Sequence, residues 1–93
     1  MAKSIIPGDE KGVCYICGRW GVTQRHHMMH GPDRKRADQI GLTVYLCPEC
    51  HMRLHDHGDH DRELKQKAQE IYEEKYSREL WMINFGRNYR EEK

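Results

Sequence analysis

The chain has 93 residues, 37% hydrophobic and 33% charged, with 16 Lys and Arg against 15 Asp and Glu for a formal net charge of +1. That length bounds a single small domain whose modest core often needs a metal or disulfide staple. The charge balance excludes a protein basic over its whole surface, though a local basic face stays open, and no apolar run approaches a membrane span.

Residues 1–12 read as a loose leader around Pro7 and Gly8, with no apolar stretch long enough for a secretory signal, so the expectation is a cytoplasmic protein. "CYICGRWG" (14–21) reads as a turn, because Gly18 and Gly21 permit left-handed backbone. "VTQRHHMM" (22–29) fits a strand that Gly31 and Pro32 end. In "DRKRADQIG", Asp33 is a plausible helix N-cap and Gly41 a plausible stop, which gives a short helix or turn. "LTVYLC" (42–47) is rich in β-branched and aromatic residues and reads as a second strand. Pro48 suits the first turn of a helix that Gly58 would end.

The second half differs in kind. Leu64, Ala68, Ile71, Tyr72 and Tyr76 recur at helical spacing and define one face of an amphipathic helix, with Asp59 or Asp61 as its cap. Ser77 then caps a further short helix, "RELWMINF", stopped by Gly86, in which Trp81 and Phe85 face the same way as core.

Cys14, Cys17, Cys47 and Cys50 form two C-x-x-C pairs. A C-x-x-C turn places two thiolates about one tetrahedral ion, and two such turns complete the closed shell of a structural zinc site. Disulfides and a redox C-x-x-C are the competing readings. Between the pairs lies "TQRHHMMHG", with His26 and His27 adjacent. Neighbours on a strand point to opposite faces, so these two cannot easily share one ion. His51 and His55 are four apart on the helix after the second pair, a spacing that puts both on one face about 5–6 Å apart at Cβ. One strand histidine could join them as a third ligand, leaving the other free to handle a proton. His57 or His60 could replace His55 if the helix ended early.

The "HH" of His26-His27 and "CPECHMRLH" (47–55) resemble the HNH endonuclease family, in particular its zinc-stapled small phage and mobile-element members. The 24 positions from His27 to His51 are similar to the spacing in the colicin-type members. The resemblance implies an α+β fold: a small ββα-metal core at about 13–58, with a four-cysteine zinc knuckle, extended by C-terminal helices at about 59–93. It implies His26, His51 and His55 as ligands of a catalytic divalent ion (manganese, magnesium, nickel or zinc) and His27 as the general base. DNA would be the substrate, with Arg25, Arg34, Lys35, Arg36 and Arg53 as candidate phosphate contacts. A phage packaging or recombination protein is a candidate partner. The family's asparagine falls by spacing at Leu42 or Thr43, and neither side chain can do its work. The alternative from another class is a non-catalytic zinc-stabilised module that binds DNA or protein; it explains the cysteines but not His27 or the His51–His55 pair.

Overall fold

A computed structural model describes residues 3–90 of the chain as an α+β fold. The order is β1 (Gln24–His27), a 3-10 turn (Gly31–Asp33), α1 (Arg34–Ile40), β2 (Thr43–Leu46), α2 (Pro48–His57), α3 (Asp61–Lys75) and α4 (Arg78–Phe85). Both strands are shorter than their apolar runs. β1 and β2 pair antiparallel over four residues each, from Gln24 opposite Leu46 to His27 opposite Thr43. Val22, expected in the strand, is exposed, while Met28 and Met29 leave the ladder to enter the core. The Met28 N–H still donates to the Leu42 carbonyl at 3.0 Å.

The pleat sorts β1 into two faces. Gln24 and His26 turn toward α2, where Gln24 meets His51 and the His26 ring packs edge-on to His51 and His55. Arg25 and His27 turn toward α1, where both reach Asp38. The helix signals hold in the main. Pro48 starts α2, and Gly58 ends it in the left-handed conformation. The Ser77 hydroxyl accepts from the Leu80 N–H at 3.1 Å to cap α4. Asp33 holds the capping position of α1 without a side-chain bond. Neither Asp59 nor Asp61 caps α3: the helix begins at Asp61, and the position before it belongs to His60, the one non-glycine with positive φ among the described residues.

One hydrophobic cluster joins the halves. Met28, Met29, Leu42, Val44 and Leu46 from the strand region pack with Leu54 of α2, Leu64, Ala68 and Tyr72 of α3, and Trp81 and Phe85 of α4. Each fully buried large side chain contributes about 1.5–3 kcal/mol. The rings of Trp81 and Phe85 pack at 4.2 Å between centroids with their planes tilted by 30°, as core rather than surface rings. Tyr76, expected on the same apolar stripe, is 48% exposed. Gln69 is buried instead, and it is satisfied: its amide donates to Glu73 and Asn88 and accepts from the Tyr89 N–H. That bonding folds the segment after α4 back along α3.

Gly41 ends α1 at φ +99°, and a Cβ there would stand 2.2 Å from the Lys3 carbonyl oxygen. At Gly58 a Cβ would meet nothing within 4 Å. Gly41→Ala is therefore expected to destabilise the chain by more than about 1 kcal/mol, and by more than Gly58→Ala, in parallel denaturant melts.

Candidate metal centre

The two C-x-x-C turns meet in space. Sγ atoms of Cys14, Cys17, Cys47 and Cys50 all lie within 4.8 Å of one another, and all four thiols are free of disulfide bonds. Cys17 Sγ and Cys47 Sγ are 3.9 Å apart. Four sulfurs at tetrahedral zinc–thiolate bond lengths would stand about 3.8 Å apart, so the arrangement can hold such an ion. Backbone donors already favour negative charge here. Burial opposes ionisation of Cys14, but hydrogen bonds from backbone N–H groups, that of Cys17 first, outweigh it and lower its thiol to about 6. Cys50 is pushed far up by burial and by the neighbouring sulfurs. A dication at the centre of the cluster would favour the thiolate form of its sulfurs. The second pair is built into a helix start: Cys47 is the N-cap of α2, and its Sγ accepts from the Cys50 N–H at 3.4 Å.

One turn further along α2, His51 and His55 bring their Nε2 atoms to 3.0 Å of each other. His51 Nδ1 donates to the Gln24 side-chain oxygen at 2.6 Å. That bond fixes the tautomer and makes His51 Nε2 the acceptor facing His55 Nε2, the usual support of a ligating imidazole. His26 completes the group: ligand atoms of His26, His51 and His55 lie within 4.8 Å of one another. His26 is 2% exposed, and its buried Nε2 has no hydrogen-bond partner. An orphaned buried imidazole nitrogen is costly unless something takes its lone pair or proton. Burial first, and then the neighbouring imidazoles, depress His26 to about 3, and burial followed by His55 lowers His51. Both rings are therefore neutral near pH 7 and have lone pairs to offer, so this donor set fits a divalent ion. Because α2 runs unbroken to His57, His55 reaches the group, and neither His57 nor His60 is gathered into it.

A cavity of about 180 Å³ opens at the triad, lined also by His27, His30, Arg25 and Arg34. The strand alternation separates His26 from His27, yet both reach this space. Lys35 lines a neighbouring groove with His27, Arg34 and Asp38. Arg36 and Arg53, expected beside them, line neither. Arg36 is drawn away by the Asn84 carbonyl and Asp33. Arg53 lies on the outer side of α2, paired with Glu49 at 3.3 Å.

Three residues that sequence reasoning left out belong here. Asp38 Oδ1 is 3.1 Å from His27 Nε2 and 3.5 Å from the Arg25 guanidinium. His30 Nε2 is 2.7 Å from Asp61 Oδ1, and both stand beside His26. A signal for Asp38 was its place four residues after Arg34 on a short helix packed against the strand. Nothing in the linear pattern pairs His30 with Asp61.

No protein-family model, no curated protein and no solved structure matches this chain. Among the described residues no helix is long and apolar enough to cross a membrane.

Chelation with a strong thiolate-competing agent is expected to unfold the N-terminal half, because a site of this kind contributes its binding energy to folding. Circular dichroism and metal analysis check it; about one tightly held ion per chain should be found after purification without added metal.

Proposed function

We propose that the chain is a metal-dependent endonuclease of the HNH kind that hydrolyses DNA phosphodiester bonds with little sequence preference of its own. In this reading residues 13–58 are the ββα-metal core and the cysteine tetrad is a zinc staple. The observation that carries the proposal is the orphaned, buried Nε2 of His26 beside His51 and His55, with His27 lining the same cavity from the opposite face of β1. Three imidazoles favour a transition metal over magnesium as the ion at His26, His51 and His55. That ion, when bound, supplies Lewis-acid stabilisation of charge on the phosphoryl and leaving oxygens.

His27 does the proton work. Asp38 Oδ1 accepts from His27 Nε2–H, which leaves Nδ1 as the nitrogen able to take a proton. His27 removes that proton from the attacking water as its oxygen bonds to phosphorus and the bond to the leaving oxygen breaks. Asp38 is a positioning residue in this scheme, holding the ring as a third group holds the base in other hydrolytic sites. It stands in for the family's asparagine. The residues at that position lie elsewhere: Leu42 is fully buried in the core, and Thr43 is buried too, its backbone carbonyl accepting from the Ser4 hydroxyl. Arg25, Arg34 and Lys35 are placed to neutralise flanking phosphates, which makes binding salt-sensitive and largely independent of sequence. Leu80, Met82 and Ile83 on α4 are exposed apolar side chains, and they support a docking surface for a phage packaging or recombination protein. A cytoplasmic setting suits free thiols.

His51→Ala and His55→Ala are each expected to weaken binding of the ion next to His26 while the fold and the tetrad's ion survive, which titration calorimetry on zinc-loaded protein reads directly. His27→Ala is expected to keep both ions and DNA binding yet to slow cleavage by ~10²-fold or more, the range for a lost general base. Supercoiled-plasmid nicking at matched metal occupancy and low salt measures it. Equal rates would remove His27 from the mechanism. Wild-type protein that binds DNA in a salt-dependent way but cuts with none of manganese, magnesium, nickel or zinc would establish the binding module instead.

A further inference from the structure

His26 has a second set of neighbours. Its ring centroid is 5.5 Å from that of His30, comparable with 5.3 Å to His51 and 5.6 Å to His55. His30 precedes the 3-10 turn and Asp61 is the first residue of α3, 31 positions away, yet His30 Nε2 and Asp61 Oδ1 are 2.7 Å apart. One ligand atom from each of His26, His30 and Asp61 lies within 4.8 Å of the others. We propose that His26, His30 and Asp61 form a second ligand set, two imidazoles and one carboxylate, so that a divalent transition ion can be held on either side of the His26 ring. A neutral His26 ring has one nitrogen lone pair to give, so the two seats are alternatives for one ion rather than places for two.

The seats differ in charge. His26, His51 and His55 are three neutral donors, whereas the second set carries the negative charge of Asp61. Burial works against that charge, but the hydrogen bonds from His30 and Lys65 hold the carboxyl below its usual range. Two histidines and a carboxylate suit ions such as manganese, iron(II), cobalt and zinc. An ion bound through His30 Nε2 displaces the hydrogen from the bond to Asp61 Oδ1: a neutral ring then carries its one proton on Nδ1, and a protonated ring gives up its second proton to solvent. Lys65 Nζ, 3.0 Å from Asp61 Oδ2, competes for the carboxylate. Because Asp61 opens α3, an ion seated here ties the C-terminal helices to β1, a link that the first seat does not make.

The inference goes beyond the nuclease reading, and its test reads ion binding with no cleavage step. The full chain, its cysteine tetrad loaded with zinc, is titrated with cobalt(II) and followed by visible absorption. Thiolate-to-cobalt charge-transfer bands report any exchange into the tetrad. In the double variant His51→Ala/His55→Ala, about one cobalt per chain should still bind, more weakly than in wild type, on the three donors that remain. Adding Asp61→Asn, or separately His30→Ala, should lower that residual affinity at least about tenfold. Adding Lys65→Met instead should tighten it severalfold, an effect that a purely structural Asp61 would not give. Circular dichroism and retained zinc certify the fold of each variant. A folded double variant that binds no cobalt overturns the proposal, as does residual binding unmoved by both Asp61→Asn and His30→Ala. A wild-type chain that cuts no DNA but shows this cobalt pattern supports the second seat while the nuclease reading falls.

Discussion

The antiparallel pairing of β1 with β2 decides what the rest of the molecule can do. A register that sets His26 opposite Val44 and His27 opposite Thr43 sends one histidine toward α2 and its neighbour toward α1. A slip of one residue would exchange their faces. Asp38 would then meet the ring that the α2 histidines need, and the buried nitrogen would be lost. Four residue pairs are a short ladder to hold so much. The register is secured from outside it, by the core packing of Met28, Met29, Leu42 and Leu46 and by the Tyr15 N–H donating to the Tyr45 carbonyl at 2.8 Å.

Two physical devices place the imidazoles. The first is helical repeat: α2 starts at a cysteine of the tetrad, so His51 and His55 project one turn beyond it on a common face. The second is support: Gln24, on the same face of β1 as His26, orients His51 through its amide oxygen. The second cysteine pair and the His51–His55 pair are thus consecutive features of one helix and its cap, so distortion at the first is carried to the second through rigid backbone.

Much of this was legible in the sequence because it obeys local rules. Pro48, Gly58, Ser77 and Gly86 mark helix ends by backbone chemistry alone, and the C-x-x-C pairs and the i, i+4 histidines are spacing patterns. The strand ends were less legible: Val22 and Met29 share the apolar character of strand residues, and only tertiary packing decides which of them pairs. Long-range polar contacts left no trace. Asp38 against His27 and Asp61 against His30 join segments 11 and 31 residues apart through loops whose course no periodicity encodes. The same holds for Arg36 and Arg53, which share the composition of their basic neighbours but are turned from the cavity by Asn84 and Glu49. Buried Gln69 also escaped the apolar pattern, since its satisfaction depends on Asn88 and Tyr89, beyond the next helix.

Cys17 and Cys47, 30 positions apart, bracket both strands and α1. Closing a flexible loop of that length costs about 3 kcal/mol from its length-dependent entropy alone. The α3–α4 hairpin has no such debt, because its contacts are between sequence neighbours. The two halves therefore face opposite kinetic conditions: the C-terminal helices can form early from local contacts, while the strands wait for the turns to be clasped. An ion held by the two turns would shorten that wait, so in refolding of the full chain β1 is expected to meet β2 sooner with metal present than without it.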